Sequence, residues 1–113
     1  VLARSNRIVH ADDYRATVRS GRRSTSPHSV IYLRHNGRAA EPRFGFIVAK
    51  SVGNAVTRNL VRRRLKGAAF ELLPMAAPGT DLVVRALPAA AQAPWDTLRA
   101  QISEALSKGV TRQ

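Results

Sequence analysis

The sequence predicts an α+β fold: a single small domain over residues 1–113, in which a central β-sheet packs with three helices as an α-β sandwich. Three observations lead there. A length of 113 residues suits about one domain. Runs rich in β-branched and aromatic residues are interspersed with stretches whose apolar residues recur every three or four positions. Those signals come in the order helix, strands, helix, strand, helix, which favours helices laid against one sheet.

Residues 1–10 read as a basic N-terminal arm carrying Arg4 and Arg7. Asp12 or Asp13 then caps a short helix with Tyr14 and Val18 on its apolar side, closed by Ser20-Gly21. Residues 22–27 are Arg, Ser and Thr ending in Pro27, the composition of a loop. A strand follows at 30–33 and ends at the turn pair Asn36-Gly37. After a loop over 38–42, residues 43–49 form a second strand, apolar on both faces and therefore expected at the centre of the sheet. Asn54 is the candidate N-cap of the longest helix, roughly 54–73, which Pro74 stops. Pro78-Gly79 turns the chain into a strand at 81–87. Pro94 opens an amphipathic terminal helix through Trp95, Leu98, Ile102 and Leu106. It is expected to fray after Gly109, leaving 109–113 as a flexible tail.

Charge narrows the partner. Nineteen Lys and Arg face seven Asp and Glu, a formal net charge of +12, and sixteen of the nineteen are Arg. The guanidinium presents a planar fork of donors that matches phosphate, so the surplus favours a polyanion, nucleic acid before an anionic membrane. No segment is apolar and long enough to span a bilayer, so no membrane partner is expected. The absence of cysteine excludes disulfides and thiolate metal sites. The opening Val1-Leu2-Ala3-Arg4 turns polar at once, without a secretory apolar run, and predicts an intracellular, cytoplasmic setting.

Between Pro42 and Phe70 stand seven cations, Arg43, Lys50, Arg58, Arg62, Arg63, Arg64 and Lys66, and no acid. At about 100° per residue, Arg58, Asn59, Arg62, Arg63 and Lys66 share roughly 140° of the helix, beside an apolar arc of Val61, Leu65, Ala68 and Leu72. Like charges four apart cost a few tenths of a kcal/mol each, a repulsion that a bound polyanion relieves. Catalytic patterns are lacking by contrast. Asp12 and Asp13 suit capping, Asp81, Asp96 and Glu104 are scattered, and His10, His28 and His35 lie in separate segments. Neither a two-metal carboxylate cluster nor a catalytic residue is expected.

Residues 50–66, KSVGNAVTRNLVRRRLK, resemble the signature of the bacterial ribonuclease P protein subunit family. Lys50, Gly53-Asn54-Ala55-Val56, Arg58-Asn59, Arg62-Arg63 and Lys66 stand at the family's spacing. Asn6-Arg7-Ile8, Asp12-Asp13-Tyr14, Gly21, Arg43-Phe44-Gly45 and the run from Asp81 to Arg85 extend the likeness over most of residues 4–106. Leu60, Ser51 and Tyr14 depart from the usual Arg, Lys and Phe; the first two remove charge, which would throw more of the binding onto Arg64 and the arm.

The resemblance implies a central mixed sheet of about four strands with three helices, the ribosomal protein S5 domain 2-like α-β sandwich, with an unusual left-handed β-α-β crossover. It implies one RNA-binding domain, the non-catalytic protein subunit of an endoribonuclease whose RNA subunit does the chemistry and removes the 5′ leader of precursor tRNA. Lys50, Asn54, Arg58, Asn59, Arg62, Arg63 and Lys66 would contact RNA, and Tyr14, Val18 and Tyr32 would line a cleft for the single-stranded leader. Its partners would be the ribonuclease P RNA subunit and precursor tRNA, with no obligate protein partner. Mg2+ would serve the RNA of the holoenzyme, with no metal site on the protein. A ribosomal protein would show similar charge and size but has no need of the spacing from Gly53 to Lys66. A protein-only nuclease would need carboxylates that are missing, and a DNA reader would need a helix-turn-helix or zinc spacing.

Overall fold

The computed structural model describes residues 2–38 and 40–111. Helix α1 spans Ala11–Ser20, followed by strands β1 (Arg22–Thr25), β2 (Ser29–His35) and β3 (Arg43–Ile47). Helix α2 (Ala55–Leu72), strand β4 (Thr80–Ala86) and helix α3 (Trp95–Thr111) complete the chain. The four strands form one mixed sheet in the order β1-β2-β4-β3. The β1–β2 and β2–β4 pairs are antiparallel, whereas β3 and β4 are parallel neighbours joined through α2.

Alternation along the strands sorts residues to the two faces. Ile31 and Leu33 of β2, Phe44 of β3, and Leu82, Val84 and Ala86 of β4 face α2 and α3. There they join Val61, Leu65, Ala68 and Leu72 of α2 and Leu98, Ile102 and Leu106 of α3, all buried. Both apolar arcs expected from the sequence therefore meet in one core. On the opposite face Val30, Tyr32 and Val83 form a smaller cluster with Ile8, on which Tyr14 and Val18 of α1 pack.

Several expectations are overturned. Residues 22–25 are a strand rather than loop: β1 pairs with β2 from Arg22↔Leu33 to Thr25↔Val30. A tight turn holds that hairpin, in which the Ser26 N–H donates to the Ser29 carbonyl at 2.9 Å. Polar, mostly exposed β1 is an edge strand held by backbone bonds, so neither hydrophobic alternation nor propensity betrays it. The apolar run at 43–47 is the opposite edge rather than the centre. It tolerates that place because the N-terminal segment covers it: Ile8 N–H donates to the Phe44 carbonyl at 2.9 Å, and Arg7 bridges Phe44 in parallel. The basic arm is held to the fold, since its Leu2, Asn6 and Ile8 are buried. Asp12 and Asp13 do not cap α1. His10 holds the N-cap position without a side-chain bond, while Asp12 pairs with Arg15 and Asp13 with Arg43. Helix α3 runs to Thr111, two residues past Gly109, and the remainder of the expected tail, 112–113, lies outside the described residues.

Candidate nucleic-acid interface

The start of α2 shows why Gly53-Asn54 stands where it does. Gly53 has φ +158° and ψ −168°, a region nearly reserved for glycine, and a Cβ there would lie 2.8 Å from the Thr57 methyl. Asn54 then caps the helix: its side-chain carbonyl accepts from the Thr57 N–H at 2.9 Å. The elbow thus turns the chain from β3 into α2 within a few residues. It also places Lys50, exposed on a short 3-10 turn, beside the first turn of the helix.

Along α2 the apolar arc faces the sheet, and Asn59, Arg63 and Lys66 are exposed. Arg58 and Arg62 sit where the charged and buried arcs meet, and each is half-buried. Arg62 donates to the Val48 carbonyl at 3.4 Å and to Asn59 Oδ1 at 3.2 Å, which holds its guanidinium along the helix surface. The Arg58 Nε is buried without a hydrogen-bond partner among the described residues. The arm adds to this face, because a cavity of ≈ 400 Å³ is lined by Leu2 and Arg7 together with Asn59, Arg62, Arg63, Lys66 and Gly67. Arg64 does not belong here: it donates to the Ala93 carbonyl at 3.1 Å, on the other flank of the buried arc. It cannot compensate on this face for the charges missing at Leu60 and Ser51.

Carboxylates pair with cations elsewhere. Asp12, Asp13, Glu71, Asp81 and Glu104 bind Arg15, Arg34, Arg43, Arg99 and Lys108. Among the described residues, none forms an ion pair with Lys50, Arg58, Arg62, Arg63 or Lys66. Among the described residues the face is therefore positive charge without ion-pair compensation, an arrangement chemically able to bind phosphate.

The second site lies across the sheet. Register aligns three rows on the α1 face: Arg34, Asp81 and Arg43; Tyr32, Val83 and Gly45; and Val30, Arg85 and Ile47. Asp81 is wholly buried and accepts from Arg43 Nε and Nη2 at 2.9 Å each, Arg34 at 3.1 Å and Asn36 at 3.1 Å. Burial alone would push its carboxyl up, but the hydrogen bonds from Arg43, Asn36 and Arg34 and the Arg43 charge outweigh it and hold it below the ordinary value. The bond to Asp81 in turn raises Arg43 against the opposing effect of burial, and Arg43 also reaches Asp13 at 3.2 Å, anchoring the first turn of α1. Tyr14 lies over Gly45, where a Cβ would sit 2.6 Å from its ring, and its hydroxyl accepts from the Phe46 N–H at 3.3 Å.

Tyr14, Val18 and Tyr32 are therefore brought together in one packed cluster between α1 and the sheet. Tyr32 is only 7% exposed, so most of its ring is committed to the sheet cluster. Arg85, exposed near the C-terminal end of β4, shares that face, and Arg23 is paired opposite Tyr32. Arg85 was legible only as a position on a strand. Its place on the α1 face of the sheet comes from the register of β2 and β3 on either side.

Comparison with known proteins agrees with this geometry. The Ribonuclease P family model matches residues 2–109. The ribonuclease P protein component of Clavibacter michiganensis is 47% identical over 110 residues, covering 97% of each chain. That of Pseudarthrobacter chlorophenolicus is 46% identical over 112 residues, covering 99% of this chain and 82% of the relative. The Staphylococcus aureus RNase P protein superimposes with a TM-score of 0.81 at 22% identity, covering 94% of this chain and 96% of that one. The Thermotoga maritima protein does so at 0.78 and 21% identity, covering 90% and 96%. Sequence, fold and the basic helix converge, and the chain belongs to the bacterial ribonuclease P protein component family.

Proposed function

We propose that this chain binds the catalytic RNA subunit of ribonuclease P through α2 and holds the 5′ leader of precursor tRNA in the cleft between α1 and the sheet. In that complex the RNA carries out the endonucleolytic step with Mg2+, and the protein contributes binding and orientation. The observation that carries the reading is the face formed by α2 and the turn before it, where among the described residues Lys50, Arg58, Arg62, Arg63 and Lys66 have no carboxylate ion-pair partner, while five of the seven acids pair with other cations. Asn54 and Asn59 add amide groups at its edge. Tyr14, Val18 and Tyr32 supply the apolar side of the cleft, and Arg85 a cation on its floor. That combination suits unpaired nucleotides, whose bases pack on apolar and aromatic surface while their phosphates meet Arg.

The test is reconstitution. Added to a bacterial ribonuclease P RNA at low magnesium, the protein is expected to restore cleavage of a precursor tRNA at the 5′ end of the mature sequence. Binding to both RNAs with no change in cleavage would refute the proposal and favour a ribosome-associated role.

A further inference from the structure

Of the six aromatic side chains in this protein, five are buried or half-buried: Tyr14, Tyr32, Phe44, Phe46 and Trp95. Phe70 alone is exposed, at 50% of its surface. An isolated exposed apolar residue needs no explanation, but the place of this one does. At about 100° per residue Phe70 lies roughly 120° round α2 from Arg58, between the directions of Lys66 and Arg63. It is four residues beyond Lys66, one further rung of about 6 Å on the same ladder. Val56, 78% exposed, falls close to that direction at the other end of the helix. The two large exposed apolar residues of α2 thus lie on its cationic side, where an amphipathic helix would carry polar groups.

We propose that Phe70 is a stacking platform for an unpaired nucleotide of the RNA bound along α2. The inference rests on the reading of α2 as the RNA face and extends it by one contact of a different kind. Cations along the ladder hold phosphates and are indifferent to the state of the bases. A half-exposed phenyl ring at its end offers a flat apolar face to one unstacked base, and so favours RNA that is single-stranded or bulged at that point. The acid-free run ends immediately afterwards, at Glu71, which pairs with Arg99 at 2.6 Å. Phe70 therefore marks the boundary of the RNA footprint on this helix.

The experiment measures affinity for ribonuclease P RNA across a salt series, using the full-length protein and the variants Phe70→Ala, Phe70→Leu, Phe70→Trp and Lys66→Ala. Stacking predicts that Phe70→Ala weakens binding by roughly tenfold with the salt slope unchanged, because no charge is removed. Phe70→Leu, apolar but without a π face, remains close to the Ala variant, and Phe70→Trp restores wild-type affinity. Lys66→Ala reduces the slope by about one instead. On adding RNA, the indole in Phe70→Trp is quenched beyond whatever change Trp95 shows in the wild type.

If Lys66→Ala weakens binding and Phe70→Ala does not, the stacking role falls while the basic face stands. If neither variant changes binding, α2 is not the RNA face and both readings fall. Wild-type affinity in Phe70→Ala together with loss of a self-associated species in sedimentation would assign the ring to contact between copies of this chain and overturn the proposal. Circular dichroism and thermal melting of each variant show that the comparison is between folded proteins. The conservative Leu and Trp substitutions keep the test valid if the Ala variant is destabilised.

Discussion

Asp81 shows how one buried carboxylate organises residues distant in sequence. Arg34, Asn36 and Arg43 converge on it, and Arg43 passes the connection on to Asp13 of α1. Breaking a buried pair strands its partner charge, so Asp81→Asn is expected to destabilise the fold by about 3 kcal/mol, read from denaturant unfolding. Because the folded-state pKa is lowered, the stabilisation is fully present above the unfolded-state value near 3.8 and is lost as pH falls through the folded value. Unfolding measured from pH 7 down into the acid range should therefore show a loss of stability below about pH 4, smaller in Asp81→Asn. The sequence marked Asp81 only as a scattered acid, because the partners that define it come from β2, β3 and the loop after β2. Arg62 and Arg63 are the opposite case, legible from helical spacing alone. Replacing both with Ala should weaken RNA binding at least tenfold while costing about 1 kcal/mol or less of stability, since Arg62 makes a long 3.4 Å bond to Val48 and an exposed one to Asn59 within the helix. A large fall in melting temperature would show instead that the pair holds α2 to the sheet.

At the level of elements, α2 was the most legible part of the chain because cap, apolar arc and charged arc all agree within one segment. Asn54→Ala removes the acceptor for the Thr57 N–H and is expected to cost about 1 kcal/mol. Leu65→Ala, at a wholly packed position, should cost about 3 kcal/mol by leaving a cavity between α2 and the sheet. Thermal unfolding of the two variants ranks these effects, and an equal loss would contradict the packing described here. β1 and β3 were legible only in part, for a common reason: position in a sheet depends on partners. Residues 22–25 become a strand because β2 offers them an edge. β3 is apolar on both faces yet lies at an edge, because the segment around Ile8 closes it.

The whole molecule carries two faces of different character on one sheet. Among the described residues α2 and Arg7 present cations without carboxylate ion-pair partners, and the α1 side carries a smaller apolar cluster with Arg85 exposed on the same face. No helix among the described residues is long and apolar enough to cross a membrane. If about six phosphates are neutralised on binding, a fourfold rise in salt should weaken RNA affinity roughly a thousandfold. A shallow dependence would mean that the charge of +12 is not concentrated at the interface.

The sequence by itself determined the basic helix with its boundaries to within a residue and the apolar arcs of α2 and α3 that enter the larger core, and it pointed to a polyanionic partner. Each of those depends on composition or on a period within one segment, and local physics reads both. Only the tertiary structure decided that Leu2, Asn6 and Ile8 of the arm are buried, that β3 is an edge, and that Arg64 leaves the basic face while Arg7 joins it. It also decided that Asp13, Arg34, Arg43 and Asp81 form one network. Those outcomes depend on which strands and side chains become neighbours across tens of residues, and sheet order and register settle that together.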